Sequence, residues 1–423
     1  MRNIPEGEGI VHVGGGTTGL ASALRLANEG IPNSVIVDDG IPDPGDFGQD
    51  RNANSQYVPV VPKHALDRME LGGEDDMRGL VLVDHIKLVL GGVALPGGRW
   101  FSEKQGVNDA VAIRAKAARN ILARKAAAHP LVTIVEGKVI DILLEPGTET
   151  DPRRQARGVV MDDGREIRGG WFLDATGKTS FLASKVEDQL GADAITTIES
   201  DGEPTEYLAG YVNLDNLTRK WPLRHMDKVG YLGSMASGAR ILMVPSRLVD
   251  QDGNQLDDTT HLVIVSGTEA LIEGSKSAVP KSVSRADAFG ERVGALASGP
   301  WEKVASAMGP AKGINTSGVK GQGVIITGVV GVNGLGDAHW TGDPAAGKGF
   351  EEAADDIDAA VQAAVNNDTP LEASRAYGAS VREVIDERDA KTTEVAEQFV
   401  VLGKLTKGVA DRVARIRRFG RAA

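Results

Sequence analysis

The sequence predicts an α/β protein: a dinucleotide-binding, Rossmann-like domain, interrupted by a β-rich insert and followed by C-terminal helices. Three observations predict it. A glycine loop, Gly14-Gly15-Gly16-Thr17-Thr18-Gly19, lies between an apolar strand pattern and a helical one. From about residue 178 to about 320 the texture changes to short β-like runs. A buried-strand pattern then returns at 324–332 and leads into a second glycine loop far from the first.

Composition bounds the rest. A chain of 423 residues exceeds one ordinary core, so two or more domains are expected. The formal net charge of −12 disfavours nucleic acid and anionic membranes as partners. The short basic run at 415–421 is a solvated helix end on this reading. There is no cysteine, which excludes disulfides, thiolate-ligated zinc, iron–sulfur clusters and thiol catalysis. No metal site is predicted. The apolar stretch 10–13 runs straight into glycines, unlike a signal peptide, and no run of 18 apolar residues exists. A cytoplasmic protein is the expectation.

In chain order, residues 9–13 read as a buried strand. Leu20, Leu24 and Ala27 recur at helical spacing after the glycine loop, and Gly30 closes that helix. Residues 34–37 form a second strand that ends in Asp38. The stretch 39–105 is rich in Gly, Pro and Asp and reads as loops with short strands. Asn108 or Asp109 can cap a helix on which Ile113, Ala117, Ile121 and Leu122 share a face. Strands follow at 132–135, 139–144 and 159–161, with a hairpin turn at Asp163-Gly164 and a return strand from Glu166. Residues 171–173 are a further strand running into Asp174-Ala175-Thr176-Gly177. The insert shows β runs at 208–212, 241–244 and 262–265 and a helix near 284–297. Helices are expected at about 350–365, 371–399 and 404–418. The domain reading is 1–177 for the first part of the dinucleotide domain, with 40–105 partly lining the substrate side. The insert is then 178–320, the second part of the dinucleotide domain 321–369, and the terminal helices 370–423.

The first loop has the spacing G-x-G-x-x-G. Gly14 allows the tight turn, Gly16 lets backbone approach a pyrophosphate, and Gly19 lets helix and strand pack closely. Thr18 sits in the first helical turn, whose free N–H groups favour phosphate. Asp38 ends the second strand, where it can accept from ribose hydroxyls. The competing account is a structural glycine turn beside a surface acid. An adenine dinucleotide fits, but this loop alone does not choose FAD over NAD.

The late loop runs Gly336-Asp337-Ala338-His339-Trp340-Thr341-Gly342-Asp343-Pro344-Ala345-Ala346-Gly347-Lys348-Gly349. An enzyme holding extended FAD has use for such a segment, and an NAD dehydrogenase has none. Asp337 is placed to accept from ribityl or ribose hydroxyls. Pro344, Gly347 and Gly349 shape the entry to a helix whose amides can face the N1/C2 carbonyl edge of the flavin. A loop shaped only by packing is the alternative.

With these loops the chain resembles the FAD-dependent monooxygenases of the p-hydroxybenzoate hydroxylase fold. They pair an N-terminal dinucleotide loop with a late Gly-Asp loop ending Pro-x-x-Gly-x-Gly. Within that group it is most similar to the oxygenase component of styrene and indole monooxygenases. The likeness lies in the spacing of Gly334-Leu335-Gly336-Asp337, Asp343-Pro344 and Gly347-Lys348-Gly349, and in Arg51-x-x-Asn54. The resemblance implies a glutathione-reductase-type FAD domain with an inserted substrate domain. It implies transfer of one oxygen atom from O2 to a small apolar aromatic or alkene substrate through a flavin C4a-hydroperoxide.

The middle loop bears on the electron source. One-component hydroxylases carry an Asp-Gly motif where this chain has Thr176-Gly177, followed by Lys178. Similar Thr-Gly-Lys segments occur in the styrene-type oxygenases, which take reduced FAD from a separate NAD(P)H:flavin reductase. Direct NAD(P)H use by a one-component hydroxylase and a reductase or dehydrogenase of the same fold are the alternatives. A halogenase is disfavoured because no Trp-x-Trp-x-Ile-Pro segment is present. By the resemblance, Arg51 and Arg114 are candidates for contact with FAD, Asn54 for the substrate pocket and His339 for the flavin edge. Each can equally be an ordinary solvated, capping or hydrogen-bonded side chain. Trp340 can shield the flavin or pack in the core. Leu208, Tyr211, Leu242 and Val244 are candidates for the apolar pocket wall. A homodimer stays open.

Overall fold

A computed structural model describes residues 9–38, 60–83, 86–90, 93–94, 110–149, 151–199, 204–214, 230–235, 237–245, 248–249, 255–257, 260–277, 279–280, 282–297, 300–319, 321–341, 349–381, 384–385 and 388. Its organising element is a parallel sheet with strand order Val332–Gly334, Trp171–Asp174, Ile10–Val13, Asn33–Val37, Val132–Glu136. The two strands Ile10–Val13 and Trp171–Asp174 are buried at every position. That follows from their near-continuous apolar sequences, which suit a sheet covered on both faces.

Alternation along the strands divides the two coats. Ile10, Trp171 and Leu173 face the helices Thr17–Asn28, Ala115–Ala128 and Gly349–Asn366, with Leu20, Leu24, Ile121, Ile357 and Val361 in the same cluster. Val11, Val13 and Phe172 face the other way. They meet Ile142, Val159 and Met161 of an antiparallel layer, Val139–Glu145, Arg154–Met161 and Glu166–Arg168. Its hairpin turns at Gly164 (φ +85°), as the Asp163-Gly164 signal predicts.

The second sheet runs Lys312–Val319, Thr205–Asn213, Thr260–Thr268, Arg240–Pro245, Gly230–Ser234, Ile86–Leu90, Val93–Ala94. Its last two strands come from the stretch read as loops with short strands, so the sheet is assembled from two distant parts of the chain. The helices Glu269–Ser277, Arg285–Leu296 and Pro300–Ser306 stand beside it. Leu208, Ile241, Met243, Val263 and Val265 form a core with Ile272, Phe289, Val293 and Trp301 from these helices. The opposite face carries Tyr211, Leu242, Val244, Leu262 and Ile264, packed with Ala112 of the strand Ala110–Ile113.

Three elements differ from the sequence reading. The helix expected after Asn108 or Asp109 begins at Ala115, with Arg114 at its N-cap. Val111 and Ile113 are instead strand residues, paired with Val60–Pro62 and Val81–Val83; alternating small and β-branched residues suit a strand. The single strand expected at 324–332 is three pieces, Gln322–Ile326, Val329–Val330 and Val332–Gly334, each in a different sheet. Apolar content is constant across them, but Gly331 adopts φ +86° and redirects the chain. The region 178–199 is not β-rich throughout. Helix Phe181–Leu190 buries Leu182 and Val186 against the antiparallel layer of the first domain. The helix expected at 371–399 is observed at 370–381, 384–385 and 388, the other positions to 399 lie outside the described residues, and so does the expected helix 404–418. Among the described residues no helix is long and apolar enough to cross a membrane.

His12 lies at the centre of the parallel sheet, fully buried. Its Nδ1 is 3.2 Å from the Ser34 carbonyl oxygen and its Nε2 is 3.0 Å from Ser22 Oγ. Burial depresses its pKa to about 4, against the raising effect of the Ser34 carbonyl. A depressed pKa means stability that is intact above the unfolded value of 6.5 and lost as pH falls towards 4. Urea unfolding should therefore show a loss of about 3 kcal/mol across that window. His12→Gln should remove this component of the slope; an unchanged slope in the variant would show that His12 does not carry it.

Candidate functional site

Three loops leave the C-terminal ends of three neighbouring parallel strands. They follow Ile10–Val13, Trp171–Asp174 and Val332–Gly334. Ligands of open parallel sheets lie at this edge.

In the first loop, crowding explains three of the glycines. A Cβ on Gly14 (φ +112°) would lie 2.6 Å from the Ala175 carbonyl oxygen. One on Gly15 would lie 2.7 Å from Val37 Cγ1, and one on Gly19 only 2.3 Å from the Gly14 carbonyl oxygen. Gly16 is different: its nearest neighbour would be the Ala175 oxygen at 3.9 Å. Packing does not demand a glycine there, but an approaching ligand would. Gly16 is also the N-cap of helix Thr17–Asn28, with no side-chain cap and no acid in the first turn. Its first-turn N–H groups are thus left for an anion. Arg119 Nε donates to the Gly15 carbonyl at 2.8 Å and braces the loop from helix Ala115–Ala128.

The second loop is built around Asp174, which is buried. Its Oδ1 accepts from the Thr176 amide (3.1 Å) and Thr176 Oγ1 (2.6 Å), and its Oδ2 from the Leu182 amide (2.7 Å). Burial pushes its carboxyl up, against those hydrogen bonds. Thr176 Oγ1 in turn accepts from the Phe181 amide at 2.9 Å. The Thr176 hydroxyl therefore serves the loop and the start of helix Phe181–Leu190. Gly177 takes φ +74°, with open space where a Cβ would stand.

The third loop locks onto the other two. The Leu335 amide donates to the Asp174 carbonyl at 2.9 Å, and Ser180 Oγ donates to the Ala338 carbonyl at 2.8 Å. Gly336 has φ +61°, and a Cβ there would lie 2.9 Å from Thr18 Cγ2. The two glycine turns, more than 300 residues apart in sequence, are in contact.

Asp356, on helix Gly349–Asn366, holds this loop from beneath. Its Oδ2 accepts from the Gly336 amide at 2.9 Å, and His339 Nδ1 lies 3.2 Å from both carboxylate oxygens. Arg388 Nη2 donates to its Oδ1 at 2.7 Å and to the Glu352 carbonyl at 2.8 Å. All three side chains are buried. Burial pushes Asp356 up, but the charges and hydrogen bonds of His339 and Arg388 outweigh it and leave the carboxyl below its usual range. Tyr377 OH donates to the Gly334 carbonyl at 3.1 Å. Asp337 points the opposite way, into a cleft of about 180 Å³ shared with Lys178, Thr179, Ser180, Thr197 and Gln322. It is exposed there. Partial desolvation and Asp356 push its carboxyl up while Lys178 opposes them.

No family model and no curated protein matches the sequence. Solved structures do match over nearly the whole length. PqsL, a probable FAD-dependent monooxygenase from Pseudomonas aeruginosa, aligns with TM-score 0.62 and 15% identity over 96% of this chain and 99% of that one. The p-nitrophenol 4-monooxygenase PnpA from Pseudomonas putida aligns with TM-score 0.61 and 17% identity over 97% and 96%. A flavin-dependent brominase aligns with TM-score 0.61 and 13% identity over 98% and 100%. The chain has the fold of these flavin-dependent enzymes.

On that fold the predicted residues separate into groups. Gly14, Gly16, Thr18, Gly19, Thr176, Gly177, Gly336 and Asp337 converge on the loop cluster. Asp38 is exposed at the end of Asn33–Val37, beside the Val37 that packs on Gly15. Gly349 opens the helix that carries Asp356. Arg114 is half-buried at a helix N-cap, and Arg119 of the same helix donates to the Gly15 carbonyl of the glycine loop. His339 is buried with Nδ1 on Asp356, and among the described residues its Nε2 has no hydrogen-bond partner. Trp340 is buried in the main core. Leu208 lies on the helix-covered face of the second sheet, away from Tyr211, Leu242 and Val244. Arg51, Asn54, Pro344 and Gly347 lie outside the described residues. Sequence reading missed Arg119, Ser180, Asp356 and Arg388. One signal was available: Asp356 stands among Ala353, Ile357 and Ala360 on the apolar stripe of its helix.

Removing the Asp356 carboxylate should leave a buried guanidinium uncompensated. Asp356→Ala should cost about 3–5 kcal/mol in chemical denaturation. Asp355→Ala, which removes a half-exposed partner of Arg68, should cost about 1 kcal/mol or less. Equal costs for the two variants would refute this account of the loop's support.

Proposed function

We propose that the chain is an FAD-dependent monooxygenase that delivers one atom of O2 to a small aromatic or alkene substrate. The observation that carries the proposal is the contact between Gly336 and Thr18 beside an open, uncapped Gly16. It gathers a phosphate-binding helix start and a hydroxyl-binding carboxylate at one sheet edge, which suits a single extended dinucleotide. The residues fit FAD by their own chemistry: orphan amides for the pyrophosphate, Asp38 for the ribose, and Asp337 for the ribityl hydroxyls.

When bound and reduced, FAD supplies the activation of oxygen. The protein supplies binding, orientation and dryness. The amides after Gly16 bind phosphate, and Arg119 keeps that loop in register through the Gly15 carbonyl. Asp174 and Thr176 fix the second loop, and Asp356 fixes the third through the Gly336 amide. His339 serves as a support for the third loop on this proposal. Tyr211, Leu242 and Val244 form an apolar wall on the sheet face that packs with Ala112. Such a wall excludes water from the reacting centre. Oxygen transfer to a carbon–carbon double bond requires no proton abstraction from substrate. The Thr176-Gly177-Lys178 segment favours a separate NAD(P)H:flavin reductase as electron source, as in styrene-type epoxidation.

Two measurements test this. FAD titration should show Gly16→Val weakening binding by about tenfold or more, roughly 1.4 kcal/mol, while the fold is retained. Chemically reduced enzyme mixed with O2 should return slowly to the oxidised-flavin spectrum and convert styrene or indole, and NADPH alone should not bleach the flavin. Undiminished binding by Gly16→Val would refute the FAD site. Prompt reoxidation without product would refute oxygenation, and rapid bleaching by NADPH would refute the separate reductase.

A further inference from the structure

Leu208, read from the sequence as a substrate-wall residue, lines a different cavity. It is a groove of about 480 Å³ on the helix-covered side of the second sheet. Its apolar lining is Leu208, Val279, Ala288, Phe289 and Ile314. The strands Thr205–Asn213 and Lys312–Val319 form the floor, and helices Glu269–Ser277 and Arg285–Leu296 form the banks. Gly210 lets the second bank approach: a Cβ there would sit 2.9 Å from Phe289 Cε2. A cavity of this size suits a small organic molecule.

The charge on the groove is one-sided. Its charged lining residues are Lys276, Arg285 and Arg292, with no carboxylate among them. Lys276 is neutralised by Glu273 of its own helix. The two arginines are not. Arg285 donates to the Ile314 carbonyl at 3.1 Å. Arg292 donates to Ser275 Oγ and to the Ile272 carbonyl, each at 3.1 Å. All of these acceptors are neutral, and among the described residues neither guanidinium has a carboxylate partner. Seven residues apart, they lie on one helix face. Desolvation lowers the Arg292 pKa; the charge of Glu273 opposes this, and the charge of Arg285 adds a smaller lowering. Two like charges gathered over apolar surface, in a chain of net charge −12, are relieved by an anion.

We propose that this groove binds an amphipathic monocarboxylate, with its apolar body on the half-buried Val279, Ala288 and Ile314 and its carboxylate between Arg285 and Arg292. The charge pattern selects an anion, and the apolar floor selects one with a hydrocarbon or aryl body over inorganic phosphate. The site lies across one sheet thickness from Tyr211, Leu242 and Val244, so it is separate from the proposed oxygenation site and does not depend on that reading.

The test is calorimetric titration of the full chain with decanoate. One-to-one binding is expected, weakened by about tenfold or more in Arg285→Gln. Arg292 also ties two helices together, so its charge-preserving variant is informative. Arg292→Lys should keep binding within about threefold, since Lys remains a cation for the carboxylate. Decanol, with the same tail and no charge, should bind at least about tenfold more weakly than decanoate. The proposal is overturned if decanoate does not bind, if decanol binds as well, or if Arg285→Gln binds decanoate like the parent. That last outcome would place the ligand in another cavity.

Discussion

Backbone meets backbone at the edge of the parallel sheet, and the remaining architecture of the site follows from that contact. Gly14 lies against the Ala175 carbonyl, Gly19 against the Gly14 carbonyl, and Gly336 against the Thr18 side chain. A larger side chain would have to displace main chain at Gly14 and Gly19, and the Thr18 side chain at Gly336. Because three adjacent strands end together, their loops must share one small volume. Glycine makes that sharing feasible and leaves the helix start of Thr17–Asn28 without a cap of its own.

The buried ionic group beneath the third loop answers a different physical need. Leu335 and Trp340 anchor the loop in the core, but the backbone between them needs partners that apolar packing does not supply, so directed hydrogen bonds complete its support. Asp356 binds the Gly336 amide, His339 and Arg388 together. A carboxylate this buried is tolerated because several donors share its charge. The same cluster faces inward while Asp337 faces the cleft, so two acids of one neighbourhood are divided between support and exposure.

Much of this was legible in the sequence. Periodicity located most helices and strands of the first domain, and glycine spacing located the loops, because both are local signals. The chain cut at Gly331 was not legible, since Val329, Val330 and Val332 are equally apolar on either side of it. Nor was the strand Ala110–Ile113, whose short pattern is shared by the start of a helix. Arg119 was passed over because its bond to the Gly15 carbonyl is a tertiary contact that the periodicity of its helix does not reveal. Arg388 lies in a long polar stretch with nothing to distinguish it, and its role depends on a tertiary contact with a helix more than 20 residues earlier.

The assembly of the second sheet from two remote stretches has a consequence for how the chain comes together. Ile86–Leu90 is laid beside Gly230–Ser234, with well over a hundred residues between them. An excised fragment spanning only 204–319 would leave Gly230–Ser234 as a bare rim of unpaired amides and carbonyls, an invitation to self-association. During synthesis that rim must wait for, or be met by, a segment already emerged from the ribosome. The pairing is non-local, which slows its formation. The two halves of the molecule are in this sense sewn together, and neither is a module that could be transplanted alone.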